Sequence, residues 1–127
     1  MPASFLLIDD DQTTNLLNKT IIEKSKHEID VRVISDPLEI AGLLENSQLK
    51  LDDTVILLDI NMPDLNGWEV AEQFINFGIS ESTKIYMLTS SVDPADEVRA
   101  RKTDGIEALY SKPLTFEMVD ELVVRHF

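Results

Sequence analysis

The chain has 127 residues, which is enough for one domain to bury a core without disulfide or metal support. Its 24 acidic and 11 basic residues give a net charge of −13, which disfavours direct contact with nucleic acids or anionic membranes. The absence of cysteine excludes disulfides and thiolate chemistry. From this length we expect a single domain, residues 1–127. Because neither a secretory leader nor an apolar run of membrane-spanning length is recognisable, we expect it to be located in the cytoplasm.

The first predicted strand is an apolar run, Phe5–Ile8, that stops at the acidic residues Asp9 and Asp10. Unbroken apolar runs of this length are typical of strands buried on both faces of a parallel sheet. Asp11 then occupies the position of a helix N-cap. The apolar residues that recur at helical spacing after it are Leu16, Leu17, Ile21 and Ile22.

Two further elements precede the central strand. Ile29–Ile34 alternates between apolar and other residues, as a half-exposed edge strand does. Asp36 and Pro37 form an N-cap followed by proline at the first helical position, which predicts a second helix. The apolar stripe of that helix comprises Leu38, Ile40, Ala41, Leu43 and Leu44. A second unbroken apolar run, Val55–Leu58, ends on Asp59, so two buried strands terminate in carboxylates.

The segment after Asp59 is rich in turn-forming residues and ends at Gly67. A third helix is predicted over residues 68–77, with its apolar residues on one face. We expect Trp68 and Phe74 to lie in the core rather than to stack on a ligand.

A third apolar strand, Ile85–Leu88, is followed by Thr89. Asp93 and Pro94 again predict the start of a helix. Val98 is nearly the only large apolar residue of this fourth helix, so we expect it to be the least firmly held element.

The last strand, Ala108–Tyr110, is short and runs into Lys112. A final helix is predicted from about Thr115, and its apolar residues are Phe116, Val119, Leu122, Val123 and Phe127. Strand and helix thus alternate five times, which predicts a doubly wound α/β fold with a five-stranded parallel sheet. The alternating second strand and the short fifth strand suit the two edges, giving the flavodoxin-like order 2-1-3-4-5.

In this order the strand-terminal polar residues converge at one rim of the sheet. Asp9, Asp10 and Asp59 would repel one another unless a cation neutralised them, and an all-oxygen donor set favours Mg²⁺, or Mn²⁺, over zinc. A metal beside a carboxylate, the hydroxyl of Thr89 and the ammonium of Lys112 is suited to phosphoryl transfer. Asp59 would then be the nucleophile that forms an aspartyl phosphate.

These residues resemble, over the whole chain, a receiver domain of a two-component response regulator. Asp9-Asp10 resembles the acidic pair of that family and Asp59 its phosphoacceptor. The segment Met62–Gly67 resembles the loop that follows the phosphoacceptor, Thr89 the switch hydroxyl, and Lys112-Pro113 the lysine with its cis-proline.

The resemblance carries further expectations for single residues. Asn61 should lend its backbone carbonyl to the metal. The position at which the family has a switch aromatic, three residues before the lysine, is Leu109, while Tyr110 is adjacent and should point to the opposite face of the sheet. We therefore expect Leu109 to pack passively while Thr89 acts as the switch residue.

Two other functions fit part of the sequence. The segment 5–13 also resembles the first motif of haloacid-dehalogenase-type phosphatases, in which Asp9 would be the nucleophile and Thr89 and Lys112 would stand for the second and third motifs. No strand after Lys112 ends in the further acidic pair of such enzymes, and Asp59 would have no role. A degenerate binding module of the same fold should have lost the acceptor, the acidic pair or the lysine, yet all are present.

The resemblance implies a signalling phosphoacceptor rather than an enzyme acting on other substrates. Asp59 is expected to receive a phosphoryl group from a histidine kinase or a histidine phosphotransfer protein, in a Mg²⁺-dependent reaction followed by slow autodephosphorylation. Output is expected through contact with a downstream protein target, without direct binding to nucleic acid.

Overall fold

One parallel sheet organises the residues that the computed structural model describes, which are 3–25, 27–91 and 93–127. The strands are β1 (Ala3–Ile8), β2 (Ile29–Ile34), β3 (Thr54–Asp59), β4 (Thr83–Thr89) and β5 (Ile106–Ser111). The helices are α1 (Gln12–Glu23), α2 (Ile40–Glu45), α3 (Gly67–Phe77), α4 (Pro94–Lys102) and α5 (Phe116–His126), with a 3₁₀ turn at Pro37–Glu39 before α2. The strand order is β2-β1-β3-β4-β5 and all four pairings are parallel, so the predicted flavodoxin-like fold is confirmed.

Helices cover both faces of this sheet, and each face has its own apolar core. One core lies between the sheet and α2, α3 and α4; it contains Leu58, Met87 and the predicted core residues Trp68 and Phe74. The other lies under α1 and α5 and includes the fully buried Tyr86. All six residues of β3 are buried, as an unbroken apolar run in a central strand predicts.

The inner face of α1 differs from the prediction. Leu16 and Leu17 are 65% and 62% exposed, whereas Asn15, Asn18 and Ile22 are buried. The reason is a tertiary hydrogen bond, because the side-chain amide of Asn15 donates to the backbone carbonyl of Asp9 at 2.7 Å. This contact turns a polar residue toward the end of β1 and rotates the two leucines outward.

The beginning of the second helical segment also differs from the prediction. Leu38 is 57% exposed, while Ile40 and Leu44 are buried. Because Pro37–Glu39 is a 3₁₀ turn rather than α-helix, Leu38 does not share the face of the residues that follow. In the described part of the chain, no helix combines the length and the apolar composition that crossing a bilayer requires.

Candidate functional site

Three carboxylates converge at the edge of the sheet where the parallel strands end. Asp9 and Asp10 directly follow β1, and Asp59 is the last residue of β3. One oxygen from each lies within 4.8 Å of the others. Asp9 and Asp59 are buried, whereas Asp10 is exposed. The expected meeting of these three side chains therefore occurs.

Lys112 links the two buried carboxylates. Its Nζ donates to Oδ2 of Asp9 at 2.7 Å and lies 3.0 Å from Oδ1 of Asp59. Burial alone would lower the pKa of Lys112, but the hydrogen bonds to Asp9 and Asp59 outweigh it and raise that pKa above its ordinary value. The ammonium therefore stays charged and offsets part of the negative charge in the crevice.

Asp59 lies in an environment that disfavours its ionised form. Burial raises the pKa of Asp59, and the neighbouring charge of Asp9 adds to that effect. The hydrogen bond and charge of Lys112, together with the backbone N–H of Asn61, act in the opposite direction without cancelling it. Asp59 is thus a carboxylate that would gain from a further positive charge nearby.

Backbone and side-chain hydrogen bonds fix the position of Asp9. Its Oδ1 accepts from the backbone N–H of Asp11 at 2.9 Å. Asp11 itself is the N-cap of α1, as predicted, and accepts from the backbone N–H groups of Thr13 and Thr14. Asn15, whose side-chain amide donates to the backbone carbonyl of Asp9, was not among the predicted site residues. The signal that could have found it is a pair of asparagines at helical spacing, Asn15 and Asn18, in the first half of a predicted helix that follows the acidic pair.

Thr89 is the last residue of β4, and its hydroxyl is hydrogen-bonded to the loop that follows. The residue is fully buried. Its Oγ1 donates to the backbone carbonyl of Ser91 at 2.9 Å and accepts from the N–H of Ser91 at 3.2 Å. The backbone N–H of Lys112 donates to the carbonyl of Thr89 at 2.7 Å, so the ends of β4 and β5 are joined beside the crevice.

The loop after Asp59 is shaped by close packing at Gly67. The N–H of Gly67 donates to the carbonyl of Ile60 at 2.8 Å. A Cβ on Gly67 would overlap the backbone carbonyl oxygen of Asp59, so glycine is required by space. Asn66 and Glu69 form a capping box that starts α3 at this point. Asn61, the expected source of a metal-binding carbonyl, lies in the same loop and is exposed.

Leu109 and Tyr110 lie on opposite faces of β5, as expected. Leu109 packs against the core on the α4 side. Tyr110 lies on the α5 side, where its ring stacks on Tyr86 with the centroids 5.4 Å apart. The peptide bond between Lys112 and Pro113 is cis, which agrees with the expectation from the resemblance.

The donor set suits a hard divalent cation. Asp9, Asp10 and Asp59 supply three carboxylates against the single ammonium of Lys112, which leaves an excess of negative charge. Carboxylate oxygens are the ligands that Mg²⁺ prefers, and one oxygen from each of the three side chains lies within 4.8 Å of the others. The residues present therefore fit a divalent cation such as Mg²⁺.

Comparison with known proteins identifies the family. The response regulator receiver domain family matches residues 5–123. The chain belongs to this family. It is a receiver domain of two-component signalling. Membership removes the haloacid-dehalogenase alternative, in which Asp9 rather than Asp59 would be the nucleophile.

Individual relatives show how far the similarity of this receiver domain extends. Stress response regulator protein 1 of Scheffersomyces stipitis is 25% identical over 94% of this chain, which spans only 42% of that longer protein. The polar-differentiation response regulator DivK of Brucella anthropi is 29% identical, with 91% of this chain and 88% of that protein covered. A crystal structure of a two-component response regulator from Cytophaga hutchinsonii superposes with a TM-score of 0.83 at 32% identity, covering 98% of this chain and 96% of that one.

Proposed function

We propose that this receiver domain takes a phosphoryl group from a phosphohistidine donor onto Asp59 in a Mg²⁺-dependent reaction. The observation that carries the proposal is the crevice itself, in which Asp59 lies beside Asp9, Asp10 and the ammonium of Lys112. The donor is a histidine kinase or a histidine phosphotransfer protein, and the output is contact with a downstream protein.

Each residue of the crevice has a separate role. Asp9 and Asp10, with the Asp59 carboxylate and the backbone carbonyl of Asn61, would hold Mg²⁺, or Mn²⁺ in its place. When bound, the metal would neutralise charge on the phosphoryl oxygens. Lys112 exchanges part of its present bonding to Asp9 and Asp59 for a phosphoryl oxygen.

An oxygen of the Asp59 carboxylate attacks phosphorus while the phosphorus–nitrogen bond to the donor imidazole breaks. Autodephosphorylation follows slowly. Water attacks phosphorus, the bond between phosphorus and Asp59 breaks, and the products are inorganic phosphate and the free carboxylate. The domain thus promotes its own phosphorylation and dephosphorylation without acting on another substrate.

Phosphorylation acts as a signal by moving Thr89. Its hydroxyl now bonds to the backbone of Ser91, and attraction to a phosphoryl oxygen on Asp59 would replace those bonds. The loop that leads into α4 then loses its attachment to β4, which biases the position of α4 and the packing of β5.

Incubation with MgCl₂ and a small phosphodonor such as phosphoramidate tests the proposal. Intact-mass spectrometry should show one added phosphoryl group, and peptide mapping after borohydride trapping should place it on Asp59. Asp59→Asn should abolish the mass increase, whereas Asp64→Asn, which removes an exposed carboxylate from the same loop, should not. A phosphoryl group on Asp9, or none with Mg²⁺ present, would overturn the assignment.

A further inference from the structure

Helix α4 has little apolar anchorage of its own. Of residues 94–102, all of which the structure describes, only Ala100 is buried. Val98, its one large apolar residue, is 37% exposed. A helix with so small an apolar contact depends on specific polar contacts for its position.

Trp68 supplies two such contacts from α3. Its indole Nε1 donates to Oδ1 of Asp96 at 3.1 Å. The guanidinium of Arg99 lies over the indole ring, 4.7 Å from its centroid. Because Asp96 and Arg99 are three residues apart on α4, they meet the same indole ring from one face of the helix.

Trp68 lies in the first turn of α3, next to the glycine that packs against the backbone of Asp59. Trp68 follows Gly67, whose N–H bonds to Ile60 and which has no space for a Cβ beside the Asp59 carbonyl. The indole is buried. Beside it, between α3 and α4, lies a cavity of about 280 Å³, lined in part by Thr103 and Asp104. The two helices are therefore not closely packed beside the indole.

We propose that Trp68 is a latch that holds α4 in its resting position and opposes the response to phosphorylation. The inference rests on the proposed phosphorylation of Asp59. In the resting state α4 is attached at its entry by the Thr89–Ser91 bonds and on its face by Trp68. Once the Thr89–Ser91 bonds are lost, the contacts with Trp68, together with the packing of the buried Ala100, oppose movement of α4. Breaking the latch in advance should therefore favour the state that binds a phosphoryl group.

Binding of beryllofluoride, a stable mimic of the phosphoryl group, measures this coupling by isothermal titration calorimetry with MgCl₂. Asp96→Ala and Arg99→Gln should each raise the affinity for beryllofluoride by about threefold to tenfold. Glu97→Ala and Arg101→Gln are the matched controls, since they remove a like charge from exposed positions of the same helix without touching Trp68, and should leave the affinity unchanged. Trp68 is the single tryptophan of the chain, so its emission should change when beryllofluoride binds.

The outcomes separate the latch from the function on which it rests. If the unaltered protein fails to bind beryllofluoride, the proposed phosphorylation of Asp59 is wrong and the latch falls with it. If binding occurs and is abolished by Asp59→Asn, but Asp96→Ala and Arg99→Gln have the affinity of their controls or a lower one, the phosphoacceptor stands and the latch is overturned. Arg99 is exposed, so Arg99→Gln remains informative even if Asp96→Ala impairs folding.

Discussion

At the scale of single residues, Asp59 shows the conflict between stability and chemistry most clearly. The residue is 4% exposed, and its carboxylate lies beside that of Asp9 at the end of a strand. Burial favours the neutral acid, whereas the proposed role of Asp59 as a nucleophile requires the ionised form. A folded protein keeps such a group at some cost in stability, which is typical of functional sites.

Replacing Asp59 with asparagine should stabilise the protein in the absence of divalent metal. Because the pKa of Asp59 is raised in the folded state, its contribution to stability is present below the unfolded value of 3.8 and is lost as the pH rises through the folded value. At pH 7.5 a neutral side chain avoids this loss, so Asp59→Asn should raise the free energy of unfolding by on the order of 1 kcal/mol. Urea denaturation in EDTA measures the change, which should shrink as the pH is lowered. A decrease in stability at pH 7.5 would contradict the prediction, and Asp64→Asn is the exposed control.

Gly67→Ala should destabilise the fold and distort the crevice. The added Cβ would lie 2.8 Å from the Cα of Ile60 and overlap the carbonyl of Asp59, and these backbone atoms have little freedom to yield. Overpacking of this kind costs about 1–3 kcal/mol. Gly42→Ala is a matched control in α2, where nothing lies within 4 Å of the new Cβ, and it should stabilise by about 0.5–1 kcal/mol. Equal effects of the two substitutions in chemical denaturation would show that packing at Gly67 is not tight.

The residues of the crevice could be located from the sequence because they occupy strand ends. Asp9, Asp59 and Thr89 each follow an apolar run, and parallel strands bring their carboxyl ends to one edge. The double contact of Lys112 with two carboxylates could not be predicted, since it depends on side-chain conformations across β5, β1 and β3. The burial of Asn15 could not be predicted either, since it depends on one hydrogen bond to the backbone carbonyl of Asp9 after β1.

At the scale of elements, the strands were predictable and the helix faces only in part. Unbroken apolar runs specify buried strands without reference to other elements, as all six residues of β3 show. The inner face of an amphipathic helix depends on what it meets, and α1 turns Asn15 and Asn18 inward and Leu16 outward. Helix α4 has little apolar anchorage, as its few apolar residues predict. Its contacts with Trp68 could not be predicted, because tertiary contacts leave no periodic pattern in the sequence.

The end of α5 should show a pH-dependent attachment to the sheet. The hydroxyl of the buried Tyr86 lies 2.5 Å from Nε2 of His126, which accepts a hydrogen bond only when the imidazole is neutral. Burial lowers the pKa of His126, with Lys84 and Arg125 acting in the same direction and Glu107 against it.

Since the folded pKa of His126 is lowered, its contribution to stability is present above the unfolded value of 6.5 and is lost as the pH falls through the folded value. Chemical denaturation between pH 7.5 and pH 5 should show this loss in the unaltered protein and a smaller one in His126→Gln. His27→Gln, in which the contact between Tyr86 and His126 is intact, should keep the full loss. An identical pH dependence in the two variants would assign the effect to other groups.

At the scale of the whole molecule, the dominant feature is an excess of negative charge. The net charge of −13 is spread over 127 residues, and its mutual repulsion opposes the compact state. The three clustered carboxylates add a local excess to this general one. Salt weakens the general repulsion by screening, whereas a bound cation relieves the local excess by occupying a site.

Comparison of NaCl with MgCl₂ at equal ionic strength should therefore separate the two contributions. NaCl should raise the free energy of unfolding gradually, because screening has no saturation point set by a site. MgCl₂ should add a saturable increase, which reaches about 2.7 kcal/mol when free Mg²⁺ is 100 times its dissociation constant. Asp10→Asn should keep the NaCl response and lose most of the added Mg²⁺ response, since Asp10 is exposed and bears little on packing. Asp64→Asn removes the same charge outside the cluster and should keep both, so equal Mg²⁺ responses in the two variants would mean that Asp10 is not a ligand.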